Sequence, residues 1–389
     1  MRLLRNSLLV VGTAWLIAGC DIFGGGAKVE EPAELQNIES PLIQGRTVWR
    51  KSIGGRRSED AGGFRLAMDQ QFIYACNDKG RVFALSADNG SVAWTAKTDL
   101  RLISGPGLVG DVLVMGTMDG EVVGLHRDDG RELWREQLAS EVLASPVGEQ
   151  GVVVARTGDG HVYGLSVSDG RRLWSFERSV PTLTLRGVAE PTVHEGMALV
   201  GLDNGKLIAL SLAEGQFLWE RTIAVPSGRT ELERLVDLDG SVLAVNEDVY
   251  AVSYGGNLVG MDLRTARPIW KTEVGSYRDL AVLGDLLLVS DPKGAVKAVD
   301  RNSGILSWTQ GDLAFRRLSG PVVHRDHIAV GDFEGYIHWL SPSDGAIRGR
   351  MRAAKSAIDA TPKVVGGRMF VLGRKGDITA VEANIAGIR

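Results

Sequence analysis

Aspartate, histidine and cysteine are the side chains here that could ligate a metal or move a proton, and their spacing limits what they can do. Asp78, Asp119, Asp159, Asp203 and Asp332 each lie one to three residues before a glycine. Carboxylates could hold a cation, but such regular recurrence points to turn chemistry, in which a short side chain accepts a nearby backbone N–H. The six histidines (His126, His161, His194, His324, His327 and His338) form no zinc-ligand motif. His324 and His327 are three apart, and on one strand they would point to opposite faces. Cys76 sits in an apolar run and reads as an inert core thiol. No nucleophile elbow, P-loop or dinucleotide fingerprint is present. These patterns predict a protein that is no enzyme, with no catalytic residue, metal or cofactor.

The remaining reactive group is Cys20. Arg2 and Arg5 precede an apolar stretch, residues 8–18, too short to span a bilayer stably. It ends Ile17-Ala18-Gly19-Cys20, which resembles the bacterial lipobox, whose cysteine is acylated and becomes the mature N-terminus. Residues 1–19 are thus expected to be a lipoprotein signal peptide, with Cys20 the lipidation site. Several acyl chains hold a protein on a membrane far more firmly than one. Residues 20–44, with Gly24-Gly25-Gly26, Pro32 and Pro41, read as a flexible tether. Loss of Arg2 and Arg5 takes the formal charge from −4 to −6, which offers no electrostatic footprint for nucleic acid.

Positioning comes from a repeat. Gly80/Trp94, Gly120/Trp134, Gly160/Trp174, Gly205/Trp219, Gly256/Trp270 and Gly294/Trp308 are each fourteen residues apart, and in a seventh pair Gly335 meets Gly349 instead of tryptophan. Periods of about 40–50 residues mean a repeat architecture. Within residues 105–136, apolar runs at 106–109, 112–117, 121–126 and 131–136 are separated by Gly-Asp and Asp-Gly turns. Four antiparallel strands per repeat is the blade of a β-propeller. Pro106, Pro146, Pro191, Pro321 and Pro362 lie fourteen residues before their repeat glycines, where a strand begins and no N–H is needed. The tryptophan rings should wedge between neighbouring blades.

The eighth repeat, at Gly376, shows three strands (361–364, 368–372 and 377–382) and then the chain stops. The missing strand lies upstream, where Gly45 and Trp49 repeat the spacing of a fourth strand. The expectation is an all-β, eight-bladed propeller over residues 45–389, its last blade completed by an N-terminal strand. Closure removes exposed sheet edges.

Two intervals are stretched. The ordinary gap from tryptophan to the next repeat proline is 12 or 13 residues, but Trp174 to Pro191 is 17 and Trp219 to Val242 is 23. Both insertions join consecutive blades and should neighbour each other on one face, where binding surfaces usually lie. The first carries Leu183, Leu185 and Arg186; the second carries Asp237 and Asp239. Leucines beside an arginine, facing two aspartates, suit a protein partner with an apolar centre and a charged rim. An internal Arg186–carboxylate pair that orders the loops is the alternative, and both can hold.

The repeats resemble those of quinoprotein (PQQ-type) propellers. The whole chain more closely resembles the BamB family of outer-membrane protein assembly factors, through its lipobox, tether, eight blades, Leu183-Thr184-Leu185-Arg186-Gly187 and Asp237-Leu238-Asp239. That resemblance implies docking of both segments on a POTRA domain of BamA within the BAM complex, with unfolded outer-membrane proteins as clients. It also implies lipid-anchored placement on the periplasmic face of the outer membrane. Two departures stand out: Asp21 resembles the inner-membrane retention signal of enteric bacteria, and the fifth blade has Gly240-Ser241-Val242 where the proline is usual. A quinoprotein dehydrogenase, and an envelope propeller with another partner, are the competing readings.

Overall fold

In the computed structural model, residues 30–55, 63–178, 189–226 and 236–386 are described below. Among them, strands make eight sheets, antiparallel except where Gly63–Phe64 joins Leu102–Val109, and each built from consecutive hairpins except the last. Blade 3 is typical, with strands Val147–Glu149, Val152–Arg156, His161–Ser166 and Arg172–Glu177. Blade 8 holds Lys363–Val365, Arg368–Leu372 and Asp377–Ile385, and Ile43–Ser52 pairs antiparallel with the last of these as its fourth strand. The expected closure is therefore present, with a strand that begins at Ile43 rather than Gly45.

The tryptophans hold adjacent blades together through one repeated contact. Each indole Nε1–H donates to a backbone carbonyl of the following blade: Trp94 to Arg127 (2.9 Å), Trp134 to Val167 (2.8 Å), Trp174 to Leu212 (2.9 Å) and Trp219 to Leu263 (3.0 Å). Trp270 reaches Arg301 (2.7 Å), Trp308 reaches Pro342 (2.8 Å), and Trp49 reaches Ala87 of blade 1 across the closure (3.0 Å). The ring then lies under the last turn of the next blade. A Cβ on Gly130 would approach the Trp94 ring to 2.6 Å, and its φ of 72° also excludes most side chains.

Blade 7 inverts this design. In the other blades a small residue on the third strand faces tryptophan on the fourth, as in Gly124↔Trp134, Gly164↔Trp174 and Ala380↔Trp49. Here Trp339 stands on the third strand opposite Gly349 on the fourth. Trp339 is fully buried and donates to His324 Nδ1 (3.1 Å). A Cβ on Gly349 would lie 2.2 Å from the Ile43 carbonyl, so the closing strand takes the space of the usual indole. The missing seventh tryptophan is thus moved across the sheet rather than lost.

Three expectations need correction. Pro106 lies inside Leu102–Val109, not at its start, because that strand is lengthened to pair in parallel with Gly63–Phe64. His324 and His327 are not on one strand; they are cross-strand partners either side of a two-residue turn, and each is hydrogen-bonded to a carbonyl, Gly367 and Arg325 respectively. Of the expected tether, residues 32–42 belong to the same compact unit as the propeller. The second half of the tether is consequently packed structure, described further below.

Candidate interaction face

Within a blade the chain steps outward from the axis. The second-to-third turns, carrying the repeat glycines, therefore share one face with the connections between blades. Both insertions fall on that face. Leu183, Leu185 and Arg186 lie outside the described residues, whereas Asp237 and Asp239 are described and sit at the base of the second insertion.

The aspartates are not a displayed rim. Asp237 is 1% exposed and Asp239 is 8% exposed. The segment is pinned by backbone bonds, with Tyr254 N–H donating to the Asp237 carbonyl at 3.1 Å. It is also pinned by packing, since Val236 and Leu238 are buried and Leu238 lies close against Gly201. Around the two carboxylates lie Asp203 and Arg156, whose guanidinium Nη2 pairs with Asp203 Oδ1. Burial, then the charges of Asp237 and Asp203, pushes the Asp239 carboxyl up to about 7 against the pull of Arg156.

This cluster is electrostatically unfinished among the described residues. Asp239 Oδ1, Arg156 Nη1, Asn204 Oδ1 and Ser241 Oγ are buried with no hydrogen-bond partner there. A buried polar atom left unsatisfied costs about 1–3 kcal/mol. Such a cost is expected where function, rather than stability, determines the residues.

Aromatic and basic groups flank the insertions. Phe176 and Phe217 stack at 6.2 Å between blades 3 and 4, with Arg178 over both rings at 4.8 and 5.5 Å. Tyr254 and Tyr277 pack at 6.1 Å, and Arg278 lies 4.7 Å from the Tyr277 ring. Nearer the axis, Arg65 meets Glu190 (2.8 Å) and Asp279, which also accepts from Thr361. These four residues stand at the starts of blades 1, 4, 6 and 8, so the ion cluster ties the ring together across its centre. Burial opposes charge on Asp279, yet Arg65 holds its carboxyl far below the usual carboxylate range.

Sequence reasoning named the two aspartates but missed Arg156, and took Asp203 for a turn residue. Asp332 and Asp159 do accept turn N–H groups, whereas Asp203 makes the ion pair with Arg156. A signal was available: Arg156 is the only charged residue among those four positions before the eight repeat glycines. Among the described residues no group of three histidine, cysteine or acidic side chains could hold a metal ion.

The comparisons with known proteins agree on one family. The family described as outer membrane protein assembly factor BamB matches residues 40–106, 78–310 and 292–387. The protein of that name from Pseudomonas aeruginosa is 40% identical over 371 residues, covering 95% of this chain and 97% of that one. The Escherichia coli protein is 31% identical over 390 residues, covering 98% of each. The crystal structure of BamB from Moraxella catarrhalis superposes with a TM-score of 0.78 at 29% identity, covering 86% of this chain and 99% of that chain. Quinohemoprotein alcohol dehydrogenase from Comamonas testosteroni shares the fold, with a TM-score of 0.68 but 11% identity, over 87% of this chain and 76% of that chain. With an eight-bladed ring and near full-length similarity, the chain belongs to the family of outer membrane protein assembly factor BamB.

Proposed function

We propose that this protein is a non-catalytic scaffold of the outer-membrane β-barrel assembly machinery. It is anchored through lipid on Cys20 at the periplasmic face of the outer membrane and docks on a POTRA domain of BamA. By holding BamA it assists folding and insertion of outer-membrane proteins. The observation that carries this reading is that the junctions bearing both insertions open on one face, at a buried acidic cluster in which Asp239 Oδ1 and Arg156 Nη1 lack partners among the described residues. Leu183, Leu185 and Arg186 make the apolar centre and cation of the contact. Asp237 and Asp239, being buried, act beneath it as a floor for the contact, which combines partner binding with ordering of the loops.

The test is co-purification with BamA from envelope membranes. Leu183→Asp and Arg186→Glu should reduce recovered BamA at least tenfold while thermal unfolding of the propeller stays unchanged. Full recovery with both variants would remove the proposed surface. Asp237→Arg should also abolish recovery, but through a local rearrangement visible as altered exchange of the loops. For placement, separation of inner and outer membranes should find the wild-type chain in the outer membrane and Cys20→Ala, which cannot be acylated, absent from it. Recovery in the inner membrane would assign the decisive role to Asp21.

A further inference from the structure

Residues 32–39 lie along blades 6 and 7, extended as expected for a segment held by Pro32 and followed by Pro41. Ala33, Leu35 and Ile38 are half-buried, while Glu34, Gln36, Asn37 and Glu39 are exposed. Leu35 packs with the core that contains Leu313, Leu318 and Ile347. The Ala33 N–H donates to the Ala314 carbonyl at 2.9 Å. Its own carbonyl accepts from Arg316 Nη1 at 2.9 Å, and the Gln36 carbonyl accepts from Arg350 Nη1 at 2.9 Å.

Both arginines are themselves fixed from below. Asp332 Oδ2 accepts from Arg316 Nε (2.9 Å) and from His338 Nε2 (3.0 Å), and Glu334 pairs with Arg316 as well. His338 Nδ1 accepts from Arg350 Nε at 3.1 Å, which defines a neutral imidazole with its proton on Nε2. Asp332 and His338 are fully buried. Two arginines thus balance two carboxylates, and their surplus donors point outward at fixed spacing. Backbone carbonyls of residues 33 and 36 take those donors.

We infer that residues 32–39 are a docked strap, gripped by an Arg316–Arg350 clamp built on the buried Asp332–His338 pair, which fixes where the chain leaves the propeller toward its N-terminus. Ala33 meets the connection between blades 6 and 7, so the departure point is on the face that carries both insertions. Given lipid on Cys20, which rests on the proposed function, docking moves the point of departure from residue 42 to residue 32, which limits the span from the lipid. At roughly 3.4 Å per residue that span is at most about 40 Å, against about 80 Å if the chain were free to residue 42.

The test is hydrogen exchange and glutamyl-endopeptidase cleavage of the full-length protein in detergent. In the wild type, the Ala33 amide, which donates to the Ala314 carbonyl, should exchange at least tenfold more slowly than in an unstructured peptide, and cleavage at Glu34 and Glu39 should be slow. Leu35→Asp and Ala33→Pro alter only the strap: the first should release both protections and the second, which removes the bonded amide, should speed cleavage, while the midpoint of thermal unfolding moves by less than about 2 °C. Arg350→Lys should speed cleavage at Glu39, because one ammonium cannot serve His338 and the Gln36 carbonyl with the guanidinium's geometry. Wild-type exchange at the unstructured rate, or equal cleavage of wild type and strap variants, would overturn the inference. Neither readout depends on lipidation or BamA, so the strap can fail while the proposed function stands, and the reverse.

Discussion

Blade 7 and the junctions from blade 3 to blade 5 both bury charged side chains on the same propeller face, with opposite outcomes. In blade 7, Asp332 accepts two turn N–H groups, Arg316 and His338, while Arg350 completes the histidine. No atom of these four side chains is buried without a partner. At the insertions, Arg156 pairs with Asp203 and its charge acts on Asp239, yet Asp239 Oδ1 and Arg156 Nη1 remain without partners among the described residues. The difference teaches that burial of charge does not identify a functional site. A network closed on itself serves the scaffold, and one left open on a face with inserted loops is where binding energy remains to be gained.

The sharpest way to break this comparison is to remove its anchors. Asp332→Ala leaves Arg316 and His338 facing each other without their carboxylate, and should cost about 3–5 kcal/mol of folding stability by chemical denaturation. Asp203→Ala should cost clearly less, since it also relieves repulsion on Asp237 and Asp239. Equal losses would mean that both networks are structural. The next effect has the opposite sign. At pH 8, Asp239→Asn should stabilise the propeller by about 1–2 kcal/mol, because it removes a buried charge with an unsatisfied oxygen, while weakening BamA recovery. A loss of stability would show that the carboxylate is fully satisfied.

The smallest effect is on the pH profile, where the two regions pull in opposite directions. Asp239 has a folded pKa of about 7, raised above its unfolded value, so folding gains stability from it as pH falls through 7 toward the ordinary carboxylate range. Burial lowers His338 and His324 despite Asp332 and the Gly367 carbonyl, so their contribution is complete above the ordinary histidine value of 6.5 and is lost as pH falls below it. Wild-type stability should therefore change little between pH 7.5 and 6. Asp239→Asn should show a plain fall on the acid side of 6.5. A wild-type curve parallel to that of Asp239→Asn would remove Asp239 from the account.

Much of the architecture could be read from local spacing. Gly120 and Trp134 mark a hairpin turn and an outer strand of one blade, and both are required each time a blade is built. The absent eighth tryptophan sent the last blade to Trp49 for the same reason. Even the inversion in blade 7 had a trace, since Trp339 stands ten residues before Gly349 where other blades have glycine or alanine. The candidate site was less legible. Asp237 and Asp239 were found because they fall in an irregular interval, but a charged residue beside a leucine does not reveal whether it faces solvent. Arg156 was hidden among strand residues, and the docking of Leu35 was hidden in a segment whose composition resembles a linker.

The chain's own pattern determined the number of blades, the strand that closes the ring and the face that carries the insertions, because each follows from one local strand-and-turn pattern repeated along the chain. Tertiary structure alone decided which charges are buried, which are satisfied and where the N-terminal segment lies. Arg65 and Asp279 are 214 residues apart, and Arg316 and Ala33 are 283 apart. No periodicity relates such pairs; they meet only after the ring has closed and burial has set the cost of leaving each polar atom alone.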